Sequence, residues 1–217
     1  MNINETEIIL HECRELMIRR ISSSMSKMMN EAEDTLFDMA SKEKGTAKAS
    51  QYFDAVRIIR IKKDEMLIRF EKRFDTLFKH SLWNSIANAN HTEVTLSKVG
   101  HSSFVKAAKS AEGEMLEAAV SKVKVDCKYA LLNLDKKISG LLEDVEIDHI
   151  DNPMQPETVF EAFWESCRDV KMKTELRLVL VNLFEKYVAL DLKYLYEDLN
   201  TYLSEKNIEL ETEQKSQ

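Results

Sequence analysis

The amino-acid sequence predicts an all-α protein, an elongated bundle of about five to seven helices of which several are long. Glycine and proline, the residues that interrupt helices and form tight turns, number only four and two in 217 residues. Apolar side chains also recur three and four positions apart over long stretches, which is the spacing of one helical face. A hydrophobic fraction of 44% is sufficient to bury a core along these helices.

Two long helices are predicted on either side of Gly45, a residue type that commonly follows a helix end. The first runs from about residue 5 to 41. The second runs from about 47 to 80 and is followed by a short piece around 82–89. Its apolar stripe consists of Tyr52, Val56, Ile59, Met66, Leu67, Phe70, Phe74, Leu77 and Phe78. A helix of this length spans roughly 50 Å and needs long neighbours or a partner to cover it.

Three further helices are predicted in the second half of the chain. The first covers about 103–142 and is rich in alanine, lysine and glutamate, which are good helix formers. A turn at 151–156 follows, and Pro156 suits the first position of the next helix, 157–167. The last helix covers about 174–205 and is strongly amphipathic.

We assign residues 1–206 to a single helical domain. A subdivision near 90–102 or near 143–156 is the alternative. The final residues, 207–217, are charged and lack apolar periodicity, so we expect a disordered tail.

Charge and cysteine content exclude several classes of protein. A net charge of −7 makes nucleic acid an unfavourable partner for the whole molecule, since phosphate contacts require a basic excess. No stretch has the length and apolarity of a membrane span, and the N-terminus lacks the pattern of a signal peptide. The cysteines Cys13, Cys127 and Cys167 are far apart and odd in number, which indicates reduced thiols in a cytoplasmic protein.

The motifs that usually carry chemistry are missing from this sequence. It has no phosphate-binding glycine loop, no dinucleotide-binding glycine run and no nucleophile elbow. Glu146 and His149 match half of a di-iron motif, which requires a second Glu-x-x-His pair that is not present. We therefore predict a protein that is not an enzyme and that has no catalytic residue, no metal site and no cofactor.

A basic stretch on the second helix contains Arg57, Arg60, Lys62 and Lys63, with acidic residues interleaved. A solvated, salt-bridged helix face is the first interpretation of such mixed charge. The alternative is an anion- or nucleotide-binding face. Arg57 and Arg60 lie three positions apart, so both guanidinium groups can reach one anion.

Aromatic side chains concentrate in the C-terminal third, and Trp164, Tyr187 and Tyr194 are candidates for binding a partner. Their helical spacing first indicates packing in the core. The alternative is a groove for another protein, because tyrosine and tryptophan are enriched in interfaces.

Three stretches together resemble one protein family. They are Thr-Leu-Phe-Asp-Met-Ala at 35–40, Gln-Tyr-Phe-Asp-Ala-Val-Arg at 51–57 and Asn-Pro-Met-Gln-Pro-Glu at 152–157. Their order and spacing, from about residue 31 to 203, are similar to the N-terminal part of the bacterial domain-of-unknown-function family DUF1631, whose members are usually longer. The resemblance implies an intracellular helical protein without an assigned activity, and it transfers no catalytic residue. Some members carry the label thymidine phosphorylase, which no motif in this sequence supports.

The sequence thus favours a non-enzymatic helical adaptor or regulatory module that binds another protein. The alternative is a nucleotide- or nucleic-acid-binding module that uses the basic face of the helix around 57–73. Self-association is a separate expectation. The apolar stripe of the second helix exceeds what one short neighbour covers, and a symmetric homodimer is the commonest solution.

Overall fold

The structure, a computed structural model, describes residues 3–89, 110–142, 152–168 and 173–206 and confirms the all-α bundle with several long helices. The helices are α1 (Ile3–Lys42), α2 (Ala47–Ala89), α3 (Ala111–Asp126), α4 (Lys128–Leu141), α5 (Pro156–Arg168), α6 (Thr174–Phe184) and α7 (Leu190–Glu205), with a π-helical segment (Glu185–Ala189) between the last two. No strand occurs in these residues.

Several sequence predictions concern segments that the structure does not describe. The domain subdivision near 90–102, the residues 143–151 and the tail 207–217 lie outside the described residues. Among the helices that are described, none combines the length and apolarity needed to cross a membrane.

Helices α1 and α2 form a long antiparallel hairpin. The chain turns at Gly45, whose φ of +82° is a conformation that glycine adopts without strain. Ion pairs at both ends fix the register, with Arg14 and Asp75 2.7 Å apart and Arg60 and Glu33 2.9 Å apart. Helix α2 continues to Ala89, so the prediction of an end near residue 80 is wrong.

Helices α3 and α4 replace the single helix predicted for 103–142. Residues 103–109 lie outside the described residues, and the remaining stretch breaks at Cys127. Ser110 caps α3, since its Oγ accepts a hydrogen bond of 3.2 Å from the Gly113 N–H. Gly113 therefore lies in the first turn, where it costs less than in a helix interior.

Helix α6, the π segment and α7 form one continuous helix that packs antiparallel to α1. Arg20 donates two hydrogen bonds to Asp191, at 2.9 and 3.1 Å, and Ser24 donates a third at 2.8 Å. Burial opposes ionisation of Asp191, but these donors hold the pKa of its carboxyl below the usual value. The resulting ion pair fixes α7 against α1.

The turn before α5 confirms the prediction for this segment, including Pro156 as the first helical residue. Asn152 is buried, accepts a hydrogen bond from the Met154 N–H at 2.9 Å and donates to Asp135 at 2.6 Å. Gln155 donates to the same carboxyl at 3.1 Å. The third stretch of the family resemblance, at 152–157, therefore anchors the turn to α4.

Aromatic side chains form the centre of the core at the junction of α5 and α6. Phe184 is fully buried, and its ring stacks on that of Phe163 with a centroid separation of 3.9 Å. Phe160 meets Phe184 edge-on at 5.1 Å. Arg73 of α2 pairs with the buried Glu161 of α5 at 3.1 Å, which joins the hairpin to this core.

Candidate interaction surface

Helix α2 carries a second stripe on the side opposite its buried one. We call it the outer stripe, and it consists of Phe53, Arg57, Ile61, Asp64 and Ile68. These positions are four and three residues apart, so they lie within an arc of roughly 80°. Phe53 is 47% exposed, Ile61 65% and Ile68 51%. By contrast, the core-facing Ile59 and Phe70 are fully buried.

The aromatic end of the outer stripe continues onto α1. Phe37 is 53% exposed, and its ring meets that of Phe53 edge-on with centroids 5.8 Å apart. Edge-on contact is a favoured geometry for an aromatic pair and contributes roughly 0.5–1.5 kcal/mol beyond the area it buries. Two half-exposed rings therefore stand in a defined orientation beside the stripe.

The two charged members of the outer stripe have no ion pair or hydrogen bond with any residue that the structure describes. Arg57 and Asp64 are both exposed and lie about two turns apart on the same face. An exposed charge that is not held internally can pair with a partner without breaking an existing contact.

The other three basic residues of the sequence prediction do have partners. Arg60 binds Glu33 at 2.9 Å, and Lys62 binds Glu65 at 2.5 Å. Lys63 lies 3.8 Å from the Glu33 carboxylate and 3.4 Å from Asn30 Oδ1. These contacts agree with the salt-bridged interpretation for three of the four cations, while anion binding by the group stays a prediction.

A groove lies beside the outer stripe, between α2 and the start of α6. Its volume is about 390 Å³, within the range of small-molecule and peptide-side-chain pockets. Its apolar lining residues are Ala55, Ile58, Ile61 and Leu176, and its polar lining residues are Gln51, Asp54, Arg57 and Lys173. The structure thus brings Lys173, which the sequence analysis did not select, to the same groove as Arg57. We call the outer stripe, Phe37 and this groove together the α2 face.

The three aromatic candidates occupy different environments. Trp164 and Tyr187 are half-buried and pack against the core. Tyr187 lies in the π segment, with Lys186 Nζ 4.9 Å from its ring centroid. Tyr194 on α7 is 59% exposed. Packing against the core thus accounts for the buried parts of Trp164 and Tyr187. A role of the three side chains in partner binding stays a prediction.

Exposed apolar side chains also occur on other helices. Val125, Tyr129 and Leu132 on α3 and α4 are 75%, 81% and 46% exposed, and Leu190 on α7 is 57% exposed. Scattered exposed apolar residues are normal on a protein surface. Val125, Tyr129 and Leu132 are also four and three positions apart, but the break at Cys127 separates Val125 from the other two. The outer stripe differs because its five members lie along one uninterrupted helix. The exposed residues of α3 and α4 therefore provide matched control positions.

Groups that could carry chemistry are few among the described residues. No cluster of three or more metal-ligating side chains occurs there, and Glu146 and His149 lie outside this part of the chain. Burial raises the pKa of the Cys13 and Cys167 thiols to about 12. Both thiols are protonated at neutral pH and are poor nucleophiles.

Phe53, Ile61 and Ile68 were not predicted as surface residues from the sequence. Phe53 was considered only as a member of a stretch that resembles the family. A usable signal was present, because these apolar residues are eight and seven positions apart on the side opposite the buried stripe.

Comparison with known proteins agrees with the sequence resemblance. Residues 5–207 match the model for the N-terminal domain of DUF1631, which is described as a protein of unknown function. A search of curated proteins and of solved structures finds no match to the chain. Since the family model spans nearly all of the sequence, this chain belongs to the DUF1631 family through its N-terminal domain.

Proposed function

We propose that this chain is a non-enzymatic helical adaptor or regulatory module that binds another protein through the α2 face. The observation that carries the proposal is the outer stripe, in which Phe53, Ile61 and Ile68 stand half-exposed on one side of a long helix. Apolar side chains along one face of a helix are the usual anchors when a helix docks against a partner.

Energetics support a docking role for these anchors. Burying the exposed half of a large apolar side chain stabilises a complex by roughly 1 kcal/mol. Three such anchors, spaced about two helical turns apart, and the Phe37–Phe53 pair beside the first of them supply the apolar contacts. Arg57 adds a cation at the rim that a carboxylate of the partner can engage.

The proposal is tested by disrupting the apolar anchors in the full chain. The double variant Ile61→Asp/Ile68→Asp places two carboxylates where the partner would bury apolar surface. We expect it to retain the helical fold, because both positions are exposed, and to lose about tenfold or more of its affinity for the partner. Affinity purification from the native host with quantitative mass spectrometry, followed by titration of the partner it identifies, measures the loss.

The matched control is Val125→Asp/Leu132→Asp, which adds the same charges at exposed apolar positions on α3 and α4. It should retain the partner at the wild-type ratio. Equal recovery of the partner by the α2 variant and by wild type would reject the α2 face as the binding surface.

Anion or nucleotide binding is the second candidate function, and one observation favours it. Arg57 and Lys173 line the same groove of about 390 Å³ together with one carboxylate, Asp54, so the groove carries a net positive charge. Calorimetric titration with adenosine triphosphate and with inorganic phosphate, using wild type and Arg57→Ala, tests this function. Binding by wild type that Arg57→Ala weakens would support it, and the absence of heat with wild type would eliminate it.

A further inference from the structure

We infer that the partner fitted by the α2 face is a second copy of this chain, docked with its α2 helix antiparallel to the first. The inference rests on the proposed function, because it identifies the occupant of the same face. It is drawn from the order and the charge of the outer stripe.

The outer stripe is complementary to the outer stripe of a second copy that runs in the opposite direction. In an antiparallel pair whose two-fold axis passes between Arg60 and Ile61, residues equally distant from that point meet across the interface. Phe53 of one copy then faces Ile68 of the other, and Arg57 faces Asp64. The two Ile61 side chains lie beside the axis. Phe53 and Ile68 therefore meet as apolar groups and each Arg57 meets an Asp64, while each Ile61 lies next to Arg60 and Ile61 of the other copy.

Charge pairing selects this orientation. A parallel arrangement in register would place Arg57 against Arg57 and Asp64 against Asp64, and like charges in contact are unfavourable. The antiparallel arrangement forms two symmetric Arg57–Asp64 pairs. Neither side chain is held by another residue in the described part of the chain, so no internal ion pair has to break.

The length of the stripe sets the expected strength. From Phe53 to Ile68 the helix rises about 23 Å, which is roughly four turns. The exposed Phe37 rings extend the contact at both ends. An interface of this extent belongs to the small class, so we expect a concentration-dependent dimer with a dissociation constant of about 10 µM.

A charge swap tests the pairing directly. Sedimentation velocity of the full chain, from about 1 to 500 µM, gives the dissociation constants of wild type, Arg57→Glu, Asp64→Arg and the double variant. Each single variant creates two like-charge contacts, and we expect it to weaken the dimer about tenfold or more. The double variant restores both pairs with reversed polarity and should return close to the wild-type constant. Thermal melts by circular dichroism should be nearly the same for all four proteins, since both positions are exposed.

Recovery by the double variant is the decisive result, because a general loss of structure would not be repaired by a second substitution. A monomeric wild type at 500 µM would overturn the inference, as would single variants that dimerise normally or a double variant that stays weak. The proposed function is judged separately. If wild type is monomeric but a different protein co-purifies stoichiometrically with it and is lost from Ile61→Asp/Ile68→Asp, only the second copy is rejected as the partner. If wild type is monomeric and this variant loses no co-purifying protein, both proposals fail.

Discussion

Replacing Phe184 with alanine is expected to lower the free energy of unfolding by about 4 kcal/mol. The side chain is fully buried and stacks on Phe163 while it meets Phe160 edge-on. The two rings that remain, Phe160 and Phe163, both lie on α5 and do not fill the vacated space, so a cavity is left and the contacts around it are lost. Urea denaturation followed by circular dichroism measures the change.

The matched control is Tyr194→Ala, an aromatic truncation on the same continuous helix at a side chain that is 59% exposed. We expect it to change the unfolding free energy by less than about 1 kcal/mol. A similar, small cost for Phe184→Ala would mean that the α5–α6 junction is not the centre of the core.

Replacing Arg177 with methionine is expected to lower the unfolding free energy by about 3 kcal/mol at pH 7 and to change its pH dependence. Glu112 is 3% exposed, and Arg177 Nε donates to it at 3.1 Å. Burial disfavours the charged form of Glu112. Its own backbone N–H, Arg177 and Ser110 together hold the pKa of this carboxyl below the usual value. The variant leaves a buried carboxylate without its cation.

The contribution of Glu112 to the unfolding free energy changes with pH in opposite directions in wild type and in Arg177→Met. In wild type the folded pKa of Glu112 is depressed, so its stabilising contribution is present above the unfolded pKa of about 4.5 and is lost as the pH falls through the folded value. Removing Arg177 takes away two of the four contributions that lower the folded pKa of Glu112, while burial, the largest single cause and the one that raises it, stays. The folded pKa therefore rises in the variant. The variant should therefore recover part of its lost stability between pH 7 and pH 5, where wild type does not gain from this residue.

Urea titrations at pH 7, 6 and 5 measure both curves. Arg168→Met, which removes an exposed partner of Glu165, is the control and should lie within about 1 kcal/mol of wild type at each pH. A stability difference for Arg177→Met that stays constant over this range would show that Glu112 does not titrate as argued.

Local signals made most of the fold predictable. The turn at Gly45 and the start of α5 at Pro156 follow from backbone preferences of single residues. The continuation of α2 to Ala89, the break at Cys127 and the π segment were not predicted. No glycine or proline marks these places. Their conformations depend on packing between helices that are distant in sequence.

The interaction surface was only partly predictable for the same reason. Arg57 and Arg60 look equivalent in the sequence, yet of these two residues only Arg60 pairs with Glu33 on α1. Which cation remains available is therefore decided by a contact between residues 27 positions apart. Likewise, an isoleucine in a helix can belong to the core or to a surface, and only the position of the neighbouring helices separates Ile59 from Ile61.

The most direct test of the binding surface is site-specific photo-crosslinking in the native host. A benzophenone side chain is introduced at Ile61 in the outer stripe and, separately, at Tyr129, which is more exposed but lies on α4. Crosslinks to a defined protein, either a second copy or another chain, should form from position 61 and be absent from position 129. Equal crosslinking from both positions, or none from position 61, would contradict the assignment of the α2 face.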